Sequence, residues 1–165
     1  MTATARLRPA RPQDVEPIAE LRAVVLRTDL ERLGRYDPDR VRQRLREGFA
    51  AEHTWVILAA DGPAGGTGDQ AGDGTGGPDA FAGCVALRPA ADGHWLEHFY
   101  LDPARQGRGL GGAVLRELLA EADARGRTVR LNVLQGSPAR RLYERFGFTT
   151  ESEDAVDVWM VRHPG

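Results

Sequence analysis

Lysine is missing from this 165-residue chain, and all 22 basic residues are arginine. A phosphate-binding P-loop, G-x-x-x-x-G-K-[ST], relies on a lysine that reaches the phosphates, so that motif is excluded. Schiff-base chemistry on a lysine amine goes with it. Cysteine is nearly missing as well. Cys84 stands alone, which rules out an intrachain disulfide and a cysteine-rich zinc site. Within an apolar segment it reads as a small buried hydrophobe rather than a nucleophile. No apolar run approaches the roughly 20 residues that cross a bilayer. Residues 1–5 lack a charged segment leading into an apolar one, so no secretion signal is expected. A basic excess is absent too: the formal net charge of −2 speaks against binding to a phosphate backbone. The expectation is a cytoplasmic protein, one domain over residues 1–165, that contacts neither nucleic acid nor membrane.

Glycine, by contrast, is abundant. There are 20, of which 8 fall between Asp61 and Ala80. The stretch 61–79 has no apolar periodicity and is expected to be a flexible loop joining two strands, inserted at a hairpin tip. Elsewhere the pattern is regular. A strand is expected at 5–8. Pro12, Asp14 and Glu16 mark a helix start, and Val15, Ile18, Leu21, Val24 and Val25 recur at helical spacing up to Gly34. A shorter helix over 37–48 carries Arg40, Arg42, Arg44 and Arg46, read as a solvated face, with an anion site as the alternative. Strands follow at 54–60, 80–87 and 95–101, then a strongly amphipathic helix at 109–125. A strand at 128–134, a helix at 138–146 closed by Gly147 and a last strand at 156–161 complete the order β-α-α-β-β-β-α-β-α-β. This is an α/β (α+β) mixed sheet with helices on its faces.

The informative glycines lie in Gln106-Gly107-Arg108-Gly109-Leu110-Gly111-Gly112, between a strand and the amphipathic helix. Glycines at a helix start let backbone N–H groups approach an anion, and the helix dipole adds partial positive charge there. Gly107, Gly109 and Gly112 fit G-x-G-x-x-G, but a dinucleotide-binding unit places an acid at the end of the next strand. That position holds Asn132, and the five residues Asp102–Gln106 separate strand from glycines too widely. A second motif, His94-Trp-Leu-Glu-His98, fits the H-x-x-E-H of zinc peptidases. That chemistry needs a helix, because on a strand residues four apart sit about 13 Å from each other. A zinc metallopeptidase is therefore only a remote alternative.

Gln106-x-x-Gly109-x-Gly111 after Leu101-Asp-Pro103 resembles the coenzyme A pyrophosphate loop of the GCN5-related N-acetyltransferases (GNAT). Downstream, Leu131-x-Val133, Ser137-Pro-Ala139, Leu142-Tyr-Glu144 and Gly147-Phe148 resemble the family's second motif, with Ser137 where asparagine is common. Arg8-Pro-Ala followed by Asp14 and an apolar helix resembles its start. The resemblance implies a sheet of about six to seven strands with about four helices. It implies that the parallel strands at 95–101 and 128–134 splay to admit acetyl-CoA. Phe99, Tyr100 and Leu101 would offer backbone groups to the pantetheine arm, residues Gln106, Gly107, Arg108, Gly109, Leu110, Gly111 and Gly112 would hold the pyrophosphate, and Asn132 and Ser137 would lie on the other side. The implied reaction is attack of a primary amine, on a small molecule or peptide, on the thioester. Tyr143 would protonate the leaving thiolate, as its ordinary pKa near 10 suits. Glu97 is the candidate base, ahead of His98, with the absence of any dedicated side chain as the other alternative. Strand alternation places Glu97 on the opposite face from His98 and Tyr100. Arg35, Tyr36 and Asp37 would line the acceptor pocket, and Glu151, Glu153, Asp154 and Asp157 could attract a cationic amine. Homodimers are common among similar proteins. A catalytically silent acyl-CoA-binding module on the same fold is the alternative function.

Overall fold

The computed structural model describes residues 5–59 and 80–165. The loop expected at 61–79 lies outside the described residues. Seven strands form one sheet: β1 (Ala5–Pro9), β2 (Thr54–Ala59), β3 (Ala80–Ala90), β4 (Gly93–Leu101), β5 (Thr128–Leu134), β6 (Thr149–Glu153) and β7 (Asp157–Arg162). Their spatial order is β1-β2-β3-β4-β5-β7-β6. Every neighbouring pair is antiparallel except β4 and β5.

Helices α1 (Val15–Arg32) and α2 (Pro38–Gly48) cover one face, and α3 (Leu110–Ala124) and α4 (Ala139–Arg145) cover the other. The α3–α4 side is the larger core. Leu110, Val114, Leu115 and Leu118 of α3 meet Val85, Leu96, Val129, Leu131 and Met160 of the sheet. On the second face Ile18 and Leu21 of α1 and Leu45 of α2 pack on Cys84 and Tyr100. The helix signals work as expected locally. Asp37 caps α2 by accepting a hydrogen bond from the Arg40 N–H at 3.1 Å, with Pro38 in the first turn. Gly34, at φ +70°, ends the first helical run.

Three sequence expectations change. The segment 149–153 (TTESE) is a strand, β6, absent from the expected order. All its residues are exposed, so it has no apolar alternation to reveal it. It is held by backbone pairing to β7 at the sheet edge, where charged and polar side chains suit an edge strand. On α1, Val24 is 56% exposed and lies off the buried stripe, whereas half-buried Arg22 occupies the position one turn after Ile18. Two of the four α2 arginines are engaged rather than merely solvated. Arg42 binds Glu20 and Arg46 binds Glu16, each bidentate, stapling α2 to α1.

Candidate active site

The parallel ladder between β4 and β5 is short. It runs from Gly93 opposite Thr128 to Leu96 opposite Leu131 and stops there. β5 continues to Leu134 with β7 as its partner, while β4 continues to Leu101 along β3. From Glu97 onward the two strands diverge, leaving backbone edges without a ladder partner on both sides of a gap. The gap opens into a cleft of about 1510 Å³, larger than the common range for one small ligand.

One wall comes from α3, α4 and the turn before α3. Gly107 and Gly109 have φ of +77° and +83°, a left-handed conformation that favours glycine. Gly109 is the N-cap of α3, so the first N–H groups of the helix lie beside it. Gly111 and Gly112 serve packing instead. A Cβ on Gly111 would sit 3.3 Å from Leu142 and 3.4 Å from Leu101, and one on Gly112 3.6 Å from Phe146. Gln106 reaches back and donates from Nε2 to the Leu101 carbonyl at 3.0 Å, which ties the turn to the end of β4. Leu110 is buried in the core and, with the glycines, borders the cleft. Arg108 is exposed and does not line the cleft. Across the gap, Asn132 is exposed and Ser137 half-buried, and both line the cleft. The Ser137 hydroxyl accepts from the Ala139 N–H at 3.2 Å and so starts α4.

Tyr143 projects from α4 into the same gap. It is 7% exposed, with its ring edge-on to Phe148 at 5.8 Å and tilted against Phe99 at 6.5 Å. Burial pushes its phenol pKa up, so it carries its proton at neutral pH. Among the described residues no group hydrogen-bonds its hydroxyl, although it lines the cleft.

The opposite wall comes from α1, α2 and β4, and here a bulge decides the geometry. Cys84 faces Tyr100 and Ala86 faces Glu97, with a register break between them. His98 at the break has φ +47°, uncommon for a residue with a Cβ. Gly83 admits the distortion, since a Cβ there would lie 2.1 Å from the Tyr100 carbonyl oxygen. Cys84 and Ala86 share a face, so Tyr100 and Glu97 share it too. The expectation that Glu97 faces away from His98 and Tyr100 is therefore corrected: one extra residue resets the alternation.

His98 and Tyr100 are neighbours through the Tyr100 hydroxyl, and Glu97 is held separately. Arg88 grips Glu97 through both carboxylate oxygens, at 2.9 and 3.2 Å. Arg22 donates from Nε to the Tyr100 hydroxyl at 3.0 Å and from a terminal nitrogen to the Val41 carbonyl at 2.6 Å. The Tyr100 hydroxyl lies 3.4 Å from His98 Nδ1. Burial lowers the His98 pKa and raises that of Tyr100, so both are neutral near pH 7. Burial likewise pushes Cys84 up to about 12, and its thiol donates to the His98 carbonyl at 3.1 Å. Cys84 is thus a structural thiol.

Arg35, Tyr36 and Asp37 do line this end of the cleft, as do Arg40 and Arg44. Of the acidic group near the end of the chain, Glu151 binds Arg130, Glu153 accepts from Gln135, and Asp154 closes a turn on the Val156 and Asp157 N–H groups. Only Asp157 of the four lines the cleft. Arg22 and Arg88 were not among the expected site residues. Arg22 carried a signal nonetheless: an arginine in register with Ile18 on the buried helix face. His94 and His98 lie on a strand, so the helical geometry needed by H-x-x-E-H is not present.

A mixed sheet with one splayed parallel pair and a glycine-led helix beside the gap defines a class of acyl-coenzyme A folds. A family model described as an acetyltransferase (GNAT) domain matches residues 50–150, and the chain belongs to that family. No curated protein sequence matches it. Among solved structures, a PaiA N-acetyltransferase from Thermoplasma acidophilum, in complex with coenzyme A, is similar at 19% identity. It has a TM-score of 0.68, with 97% of this chain and 99% of that one covered. The ribosomal-protein-S18-alanine N-acetyltransferase of Escherichia coli is similar at 17% identity and TM-score 0.63, over 98% and 95%. The N-acetylglutamate synthase of Neisseria gonorrhoeae, complexed with coenzyme A and L-arginine, is similar at 19% identity. Its TM-score is 0.58, over 98% of this chain and 33% of that one. At these identities the likeness establishes the fold. No helix among the described residues is long and apolar enough to cross a membrane.

Proposed function

We propose that residues 1–165 are one N-acetyltransferase domain that moves the acetyl group of acetyl-CoA onto a primary amine. The observation that carries this reading is the gap beyond Leu96 and Leu131, flanked by the Gly109 helix start and lined by Tyr143. The pantetheine arm enters the gap and pairs with the backbone of Phe99 and Tyr100, as an added strand would. The Leu101 carbonyl contributes less, since Gln106 already donates to it. The pyrophosphate rests on the N–H groups from Gly107 to Gly111, with glycine conformations and the α3 dipole favouring the anion. Asn132 and Ser137 border the arm on the β5 side. The Arg108 side chain, exposed and outside the cleft lining, takes no direct part.

The amine nitrogen attacks the thioester carbonyl carbon. The C–S bond breaks, the Tyr143 hydroxyl gives its proton to the departing sulfur, and the nitrogen loses one proton. Glu97 receives that proton through water, with Arg88 fixing the carboxylate. His98 is the second candidate, now on the same wall. The single Cys84, buried and reduced, suits a cytoplasmic enzyme. Homodimerisation, a frequent habit of similar proteins, is compatible with this reading. The competing reading is a silent module that binds acyl-CoA without turnover.

The test is thiol release from acetyl-CoA across an amine panel, followed by mass spectrometry of the products. Amine-dependent release with a +42 Da product supports the transferase. Acetyl-CoA binding without release by any amine selects the silent module, and no acetyl-CoA binding removes both.

A further inference from the structure

The four arginines of α2 divide into two pairs with opposite circumstances. Arg42 and Arg46 are neutralised by Glu20 and Glu16 of α1. Arg40 and Arg44 lie one turn apart, line the cleft and meet no carboxylate among the described residues. Across from them Arg22 is half-buried and fixed by Tyr100 and the Val41 carbonyl. Both of its partners are neutral, so its charge is uncompensated, and its second terminal nitrogen has no partner among the described residues.

Desolvating a guanidinium costs free energy that a paired anion returns. The carboxylates nearby do not supply one. Glu97 is held by Arg88, Asp29 by Arg32, and Asp37 caps α2. Arg35 also borders this end of the cleft. Asp157, the remaining carboxylate on the cleft, belongs to β7, and no arginine pairs with it among the described residues. Arg22, Arg40 and Arg44 on one side and Asp157 on the other thus border the same cavity without pairing with each other among the described residues.

We infer that the acceptor is an amine joined to an oxyanion, a carboxylate or a phosphate, with the oxyanion held by Arg22, Arg40 and Arg44. This rests on the acetyltransferase reading and adds the substrate class. Arg22 supplies a fixed, planar guanidinium whose second terminal nitrogen is uncommitted among the described residues. The two exposed arginines close over the anion from α2. Asp157 is the unpaired carboxylate open to the ammonium before it loses its proton, with Glu97 already gripped by Arg88. The acidic group at 151–157 is mostly consumed by internal bonds, so a polycationic acceptor finds less complementary charge here than an anionic one.

The experiment compares matched acceptors: L-amino acids, aminoalkyl phosphates, and amino acid amides that keep the amine and lose the negative charge. Wild-type protein is expected to prefer an acid or phosphate over its neutral counterpart by at least about tenfold in kcat/KM. The double variant Arg40→Gln/Arg44→Gln sits on the surface and should fold. It should raise KM for the anionic acceptor about tenfold, leave kcat nearly unchanged and erase the preference over the amide. Arg22→Gln should erase it as well. Equal or better use of the amides by wild type overturns the inference, and so does an equal loss on both acceptor types in the double variant. Which anionic arm responds separates carboxylate from phosphate. Calorimetry of the same compounds against the coenzyme A-loaded protein reads the site without turnover. Arginine-dependent binding of the anion with no catalysis keeps the anion site and removes the transferase reading. Absence of binding and turnover by every anionic acceptor overturns the inference itself.

Discussion

Along the α3–α4 wall of the cleft, beside the side chains of Asn132, Ser137 and Tyr143, the polar groups that distinguish it are backbone: N–H groups at a glycine-led helix start and the unpaired edges of two diverging strands. Along the α1–α2 wall they are side chains drawn from distant parts of the chain, with Arg22 bound to Tyr100 and Arg88 to Glu97. A backbone cradle can hold a phosphate in any protein with the same turn. A side-chain wall is specific to its own sequence. The two walls therefore divide the labour: a common cosubstrate on one side, a particular acceptor on the other.

The largest effect should come from breaking the backbone wall. Gly109→Asp forces a Cβ into φ +83° and sets a carboxylate at the helix start. Acetyl-CoA affinity should fall by about 100-fold or more, from strain of about 1–2 kcal/mol plus charge repulsion. Gly109→Ala should show only the strain, roughly tenfold. Calorimetry with acetyl-CoA reads both, and unchanged affinity in the aspartate variant would remove the pyrophosphate assignment. Next comes Tyr143→Phe, which leaves both walls intact and takes away one proton. We expect kcat to fall about 100-fold, with the acetyl-CoA KM changed by less than about threefold. A raised KM with kcat preserved would make Tyr143 a binding residue.

The same division explains what could be read in the sequence. Gln106, Gly107, Gly109 and Gly111 are near neighbours in the chain, so their spacing is a direct image of the turn they build. Helices α2 and α3 and strand β5 likewise follow from local caps and apolar periodicity. The α1–α2 wall was opaque for two reasons. Arg22 meets Tyr100 across 78 positions, a contact no local pattern encodes. The bulge at His98 then inverted the assumed side of Glu97, because alternation rules presuppose an unbroken ladder. β6 was missed for a different reason: its stabilisation is backbone pairing at an edge, without a buried face.

Two smaller effects probe whether the side-chain wall is packed or open. Cys84 lies beneath it, fully buried with its thiol pKa pushed up to about 12. At pH 8 its thiolate fraction is on the order of 10³-fold below that of a free cysteine, so iodoacetamide should label the native protein slower than the unfolded chain by that factor. Similar rates would mean that the α1–α2 wall opens readily. Labelling followed by intact mass reads the difference without any assumption about activity.

The smallest expected effect is a pH slope from His98. Burial holds its folded pKa below the ordinary value of about 6.5, so the unfolded chain binds the proton more readily than the native state does. The contribution is therefore fully present above pH 6.5 and is lost as pH falls from there through the lowered folded pKa. Glu97 opposes the shift, whereas Arg22 and Arg88 add to it. His94 is lowered in the same direction, so His98 accounts for part of the slope. Replacing His98 by Asn keeps a side chain that tolerates positive φ while removing the titrating ring. Tm should then fall less between pH 7 and pH 5 in His98→Asn than in wild type, even where the variant starts lower. An identical pH slope in the two proteins would mean that the imbalance at His98 is relieved by solvent, and that the side-chain wall is wetter than its packing implies.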